Sequence, residues 1–286
     1  KKIYMNLKII NYHQPNGICG NLLNVIERLH RRKKNELLYF KFHNILYSNK
    51  KNVWDKFFYQ PFCEYEDLIN KKLKLNQFKE ETFVHSRNYT WNYTFNNNLN
   101  KFYNKEIIEK LRTIKNNFIF LKKNVFKRVK LYEKKYLKQK TLGIHFRGTD
   151  KFGPMAHDKF RNKKHLLDIK FRINKSIDIK LQKLKFQKIF LATDDKKFQT
   201  NFSKAYQKQL LPMNSKLLSN RKNIGAHFFK IYGDEVTKTN LGIEALADMV
   251  LLSKCNYSLL SQSNLSLGSI IFRKDYKYKF LDAHIQ

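Results

Sequence analysis

Glycine and proline are scarce in this chain, nine and four among 286 residues. A collagen-like repeat and a Gly/Pro-rich linker array are therefore excluded. Cysteine is rarer still. Cys19, Cys63 and Cys255 lie far apart and form no CxxC pair. That excludes a zinc site of the usual spacing, argues against a disulfide framework and favours a reducing compartment. Apolar runs stop after about five residues, far short of the ~20 that span a bilayer. No secretory signal pattern opens the sequence, which starts at Lys1 rather than Met. Acids are few as well: 23 Asp+Glu stand against 58 Lys+Arg, a formal net charge of +35. Such a surface attracts polyanions, whether nucleic acid, anionic headgroups or phosphorylated substrates. The Lys and Asn excess runs along the whole chain, as in 101–140, and equally fits the composition of AT-rich coding sequence, so charge alone selects none of these partners.

Apolar residues make up 42% of the chain and aromatics 15%, enough for a sizeable core and too many for a disordered protein. No repeat of 20–50 residues is present, which argues against a solenoid or propeller. Residues 8–12 read as a strand, 15–21 as a breaker-rich turn and 22–30 as a helix, the opening of an α/β unit. Aromatics crowd 36–100 and read as core more readily than as an acceptor groove. From 104 to 138 the apolar spacing is helical; residues 99–140 hold 14 Lys/Arg against 3 acids. This basic amphipathic stretch is expected to join two halves, with a solvated face favoured over membrane contact. Apolar runs at 141–146 and 188–193, separated by a helical pattern, predict a parallel sheet. Residues 227–232 read as a further strand, 240–253 as a helix capped by Asn240, and 257–260 as another strand. The expected fold is α/β, with domains at 1–132 and 133–286.

Three polar clusters each follow a predicted strand: His145-Phe-Arg147-Gly-Thr-Asp150-Lys151, Thr193-Asp194-Asp195 and Ser261-Gln-Ser263-Asn264. In a doubly wound fold all three meet at the carboxyl edge of one sheet, where ligands bind. Arg147 offers a donor fork suited to phosphate. Gly148 leaves room for close backbone approach, and Ser263 with Asn264 supplies donors for an anionic oxygen. Taken singly, each cluster also fits a turn. Asp194-Asp195 gives little support for a metal, since the two are adjacent. Near the N-terminus, His13, Gly17, Gly20 and Asn21 lie at the glycine turn, as cleft or as turn residues.

The segment from His145 to Gly153 resembles the His-x-Arg-Arg-Thr-Asp-Lys-x-Gly motif of the α1,6-fucosyltransferase family and its nodulation and protein O-fucosyltransferase relatives. Residues 190–195 resemble that family's second motif and 240–264 its third, in the same order; the likeness covers about 140–272. Gly17-Ile-Cys-Gly20-Asn21-Leu-Leu resembles the family's glycine-rich opening more weakly. The resemblance implies a GT-B fold of two facing Rossmann-like domains, acceptor-binding at 1–132 and donor-binding at 133–286. It implies inverting, metal-free transfer of fucose from GDP-fucose. By the same resemblance Arg147 holds the β-phosphate, His145 lines the nucleotide pocket, Asp248 accepts hydrogen bonds from guanine, and Ser263 and Asn264 flank the pyrophosphate. Asp150, Lys151, Asp194 and Asp195 match motif positions important for activity. Gly17, Gly20 and Asn21 fall on the acceptor or cleft side.

Two positions depart from the pattern. Its second Arg is Gly148, and the carboxylate five residues past Asp150 is replaced by Met155, which cannot accept a proton. Asp158, His157 and Asp150 stand as candidate bases. The expected protein is thus an inverting glycosyltransferase of surface-glycan or lipopolysaccharide synthesis. Its partners would be GDP-fucose or another GDP-sugar and a glycan or glycolipid acceptor, with no cofactor and no nucleic acid. Its expected place is the cytoplasm, with a positive face suited to anionic lipid at the inner membrane. The alternatives are a basic nucleic-acid-binding protein and a catalytically inactive nucleotide-sugar-binding relative.

Overall fold

In a computed structural model of the chain, residues 5–13, 17–43, 47, 52–62, 75–83, 105–148, 163–215, 234–261 and 263–281 are described. The sequence motif residues Asp150, Lys151, Met155, His157 and Asp158, and the strand expected at 227–232, lie outside them. The chain divides into two compact units, residues 1–126 with 234–243, and residues 127–233 with 244–286.

The first unit is built on a three-stranded sheet ordered β2-β1-β3, with β1 Met5–Tyr12, β2 Glu36–Phe42 and β3 Leu75–Phe83. All its pairings are parallel, Asn6 opposite Glu36 and Tyr12 opposite Phe42 on one side of β1, Tyr12 opposite Phe83 on the other. Helix α1, Ile18–His30, joins β1 to β2 and buries Leu22, Leu23, Val25 and Ile26. Parallel strands need such a crossover, and their two-sided burial explains the run Leu38-Tyr-Phe40. Trp54, Phe57 and Phe58, after β2, are core. Asn52 caps the short helix α2, Val53–Phe57, and its amide also braces the Phe40 carbonyl at 2.7 Å. Trp54 stacks on Phe58 with ring centroids 4.2 Å apart.

The helical stretch expected over 104–138 is two helices, α3 Lys105–Phe118 and α4 Lys123–Tyr136. Tertiary pairing overrides propensity between them. The Phe120 carbonyl accepts from the Tyr59 amide at 2.9 Å, and the Lys122 amide donates to the Phe57 carbonyl at 2.8 Å.

The second unit holds a four-stranded parallel sheet ordered β5-β4-β6-β7, with β4 Thr141–Phe146, β5 Lys188–Thr193, β6 Tyr257–Leu260 and β7 Tyr278–Phe280. Helices α5 Lys163–Leu184, α6 Lys196–Ala205, α7 Glu235–Lys254 and α8 Asn264–Phe272 belong to its crossovers. Its core joins Leu142, Ile144 and Phe146 of β4 to Ile189, Leu191, Phe198, Phe202 and Leu259. Asn240 does not cap a helix. Helix α7 begins at Glu235, where the Asp234 carboxylate accepts from the Thr237 amide at 2.6 Å and is held below its usual pKa by that bond. An Asp just before a helix supplies the oxygen its first turn lacks.

Because β5 lies on one side of β4 and β6 on the other, the strand order reverses at β4. That reversal is a topological switch point, and it opens a crevice at the carboxyl ends of β4 and β6.

Candidate functional site

His145, Arg147, Gly148, Asp194, Asp195, Ser261, Ser263 and Asn264 all lie at or just beyond the carboxyl ends of β4, β5 and β6, on this one edge. Hydrogen bonds tie the three strand ends together. The Arg147 amide donates to Ser261 Oγ at 3.4 Å, and the Gly148 amide donates to Asp194 Oδ1 at 3.1 Å. The Ser261 amide reaches back to the His145 carbonyl at 2.9 Å. Arg147 is thus fixed through its backbone, directly after β4 at the switch point.

His145 is buried, with Nδ1 2.7 Å from Ser266 Oγ. Ser266 Oγ donates its own proton to the Ser261 carbonyl at 2.6 Å. The hydroxyl therefore accepts from His145, which places an imidazole proton on Nδ1. Ser266 joins the candidate cluster through this bond without having been singled out in the sequence; its signal was the Ser-x-x-Ser spacing from Ser263 at a helix start. Ser263 caps α8, its hydroxyl accepting from the Ser266 amide at 3.1 Å. Asn264 follows in the first turn, and its buried Oδ1 has no partner among the described residues. A buried amide oxygen without a donor is the kind of group that an N–H or O–H of a ligand completes.

Asp195 caps α6, accepting from the Phe198 amide at 2.8 Å. It also explains Gly148. A Cβ on Gly148 would stand 2.5 Å from Asp195 Oδ2 and 2.7 Å from a Phe146 ring carbon. A side chain at 148 would therefore require Asp195 or Phe146 to shift.

Asp248 sits apart, on α7. It is buried, and it accepts from Asn214 Nδ2 at 2.8 Å. Desolvation pushes its carboxyl up to about 7, against the opposing Asn214 bond; Glu244 adds to the rise and Arg128 opposes it. Arg128 Nε in turn donates to Asn214 Oδ1 at 2.9 Å, and Ser215 donates to Glu244 at 3.2 Å. Among the described residues no hydrogen bond links this network to the strand-end cluster. Asn214, Ser215, Glu244 and Arg128 carried no local sequence signal, since their partners are far away in the chain.

In the first unit, Gly17 is the N-cap residue of α1, and Gly20 and Asn21 lie in its first turn, just beyond the carboxyl end of β1. Gly17 offers no capping side chain; the Ile18 amide is met instead by the Tyr47 hydroxyl at 3.0 Å. Asn21 is 1% exposed, and both its amide atoms lack partners among the described residues. At the same edge His13 and His43, which directly follow β1 and β2, stack with ring centroids 4.4 Å apart. His43 is held below the usual histidine pKa by burial first and by His13 next. His43 was not picked out in the sequence; the parallel pairing of β1 and β2 brings it to His13.

Neither any family profile nor any curated protein sequence matches the chain. Solved structures do. Fucosyltransferase NodZ from Bradyrhizobium covers 94% of this chain with 93% of its own, at a TM-score of 0.55 and 14% identity. NodZ α-1,6-fucosyltransferase co-crystallised with GDP gives 0.56 at 15% identity, over 94% and 93% of the two chains. The form soaked with GDP-fucose gives 0.52 at 15%, over 93% and 92%. POFUT1 in complex with GDP gives 0.50 at 9%, over 95% and 98%. The fold is therefore an α/β fold of the GT-B class. More narrowly, it is the fold that NodZ and POFUT1 share.

Proposed function

We propose that this chain is an inverting glycosyltransferase that moves fucose from GDP-fucose to a glycan hydroxyl. The observation that carries the reading is the convergence of His145, Arg147, Ser263 and Asn264 at the switch point of the second sheet. It is supported by the shared fold of NodZ, a protein crystallised with GDP and soaked with GDP-fucose.

In this reading the acceptor oxygen attacks the anomeric carbon as the bond from that carbon to the β-phosphate oxygen breaks. The bonding electrons leave with GDP, and a base takes the hydroxyl proton. Arg147 offsets the charge that grows on the diphosphate, preorganised by the Ser261 bond to its backbone. No metal is required for that role. The N-terminus of α8, with Ser263 and Asn264, adds oriented dipoles beside the same oxygens. His145, held by Ser266 through Nδ1, would line the nucleotide pocket. Asp150, Asp158 and His157 remain the candidate bases, and Asp248 the candidate partner of guanine. Lys151 and Asp194 would assist at the donor. Gly17, Gly20 and Asn21 would serve the cleft side of the first unit. The acceptor would be a surface glycan or glycolipid, such as one of lipopolysaccharide synthesis, and the place of action the cytoplasm. Gly148, in place of the motif's second arginine, and Met155, in place of its carboxylate, favour a second reading, a relative that binds the nucleotide sugar without turning it over.

Calorimetry with GDP, UDP and CMP, followed by turnover of GDP-fucose with and without acceptor glycans, tests the proposal. GDP alone is expected to bind. Arg147→Ala is expected to lower turnover about 10²- to 10³-fold with an unchanged urea midpoint. Turnover at the wild-type level in Arg147→Ala would sink the assignment. Binding of GDP without transfer to any acceptor would favour the inactive relative.

A further inference from the structure

The lysine excess is spread along the sequence, but the fold of the second unit gathers part of it. Since β4, β5, β6 and β7 run parallel, their N-terminal ends share one edge, opposite the strand ends that hold His145 and Arg147. The segments leading into those strands are tied together. The Lys140 carbonyl accepts from the Gln187 and Lys188 amides at 2.9 and 3.3 Å, and Lys140 Nζ donates to the Leu184 carbonyl at 2.6 Å. The Lys277 carbonyl accepts from the Ser258 amide at 3.0 Å. Lys138, Lys140, Lys183, Lys185 and Lys277 are exposed along this edge. Nearby acids are already engaged: Glu133 pairs with Lys254 at 2.9 Å, Asp275 with Arg273 at 2.8 Å, and Asp178 accepts from the Tyr206 hydroxyl at 3.0 Å. Among the lysines stand two exposed aliphatic side chains, Ile179 at 40% and Leu184 at 37%.

We propose that this edge docks the second unit onto a bilayer surface of anionic lipid. The side chains favour that partner over a polynucleotide. The exposed cations named are all lysine, compact charges suited to a diffuse field of headgroups, and not guanidinium forks. Two aromatics at the edge are withdrawn from stacking, Tyr257 beneath Lys180 at 4.0 Å and Phe186 buried, and Tyr136 and Tyr276 are half-buried, so little ring face is offered to a base. Leu184 and Ile179 are short aliphatic anchors of the kind that enter the headgroup boundary beside lysines. Docking at this edge turns the strand-end cluster of the same sheet away from the lipid. The proposal stands independently of the transfer reaction.

Flotation with vesicles of two parts phosphatidylcholine to one part phosphatidylglycerol, and with phosphatidylcholine alone, tests it. Wild type is expected to float with the anionic vesicles only, and less as salt rises. The triple variant Lys138→Glu, Lys183→Glu, Lys277→Glu is expected to bind at least tenfold more weakly while keeping its urea midpoint. Lys33→Glu, Lys34→Glu, Lys79→Glu makes the same change in net charge on the first unit and is expected to stay within twofold of wild type. Leu184→Ser, which leaves the charge alone, is expected to weaken binding severalfold and decides the matter if the triple variant does not fold. Equal losses in both triple variants would reduce the effect to bulk charge and overturn the proposal. So would wild type failing to float at low salt, or a triple variant that loses oligonucleotide binding while its flotation is unchanged.

Discussion

The Asp248 carboxyl is 5% exposed and holds one hydrogen bond from Asn214, at 2.8 Å. Burial lifts it from its ordinary 3.8 to about 7 in the folded chain. An unfolded chain releases this proton near pH 4, whereas the folded one keeps it to about 7. The stabilisation is therefore whole below pH 4 and drains away as pH rises toward 7. Between about pH 5 and 7 the loss is on the order of 3 kcal/mol. Asp248→Asn keeps an oxygen for Asn214 and removes the titration. Urea unfolding at pH 5 and 7.5 should show wild type losing stability across the interval while the variant stays closer to level. Parallel behaviour of the two proteins would mean that the carboxyl folds in its charged form. The same network shows why part of the site was illegible in the sequence. Asp248 stood out by its motif, but Asn214 and Arg128 reach it from 34 residues away and from another helix, and no local pattern marks such a pairing. Gly148 was readable as a departure from the motif, but its close approach to the Asp195 side chain across the edge was not.

At the level of elements, the strands of the second sheet were legible because they are buried on both faces. The runs 141–146 and 188–193 are almost wholly apolar and are bounded by polar breaks. Helix limits were less so. The chain from Asn104 onward has the spacing of one long helix, yet it breaks where 120–122 pairs with 57–59, a contact set by tertiary structure. The start of α7 was misplaced because the capping Asp234 follows Gly233 and reads as a turn. Helix α5 ends with a further local conflict. Lys185, directly after it, holds a left-handed φ of 51°, a conformation costly for a residue with a Cβ. Lys185→Gly removes that cost, and an increase in unfolding free energy of about 1 kcal/mol is expected in urea titration. A decrease would show that the lysine side chain contributes more to this helix end than its backbone strain takes away.

For the whole molecule, chain order and unit membership do not coincide. The first unit comprises residues 1–126 and again 234–243. The returning piece fits closely: a Cβ added at Gly242 would stand 2.3 Å from the Phe57 ring, and Lys56 is ion-paired with Glu235. A fragment of residues 1–126 lacks that cover. It is expected to bind a hydrophobic dye and to melt without a cooperative transition, whereas the same fragment joined by a flexible linker to 234–243 should melt cooperatively. Equal cooperativity in the two would show that the piece is dispensable. The consequence reaches beyond stability, to the ribosome. Synthesis runs from the N-terminal side, so the first unit waits unfinished, without the piece that packs on Phe57, until 127–243 have been made. The half of the protein begun first is thus the half completed only after most of the other has been translated, and the interval is a window for chaperones, proteases and premature stops to act on it.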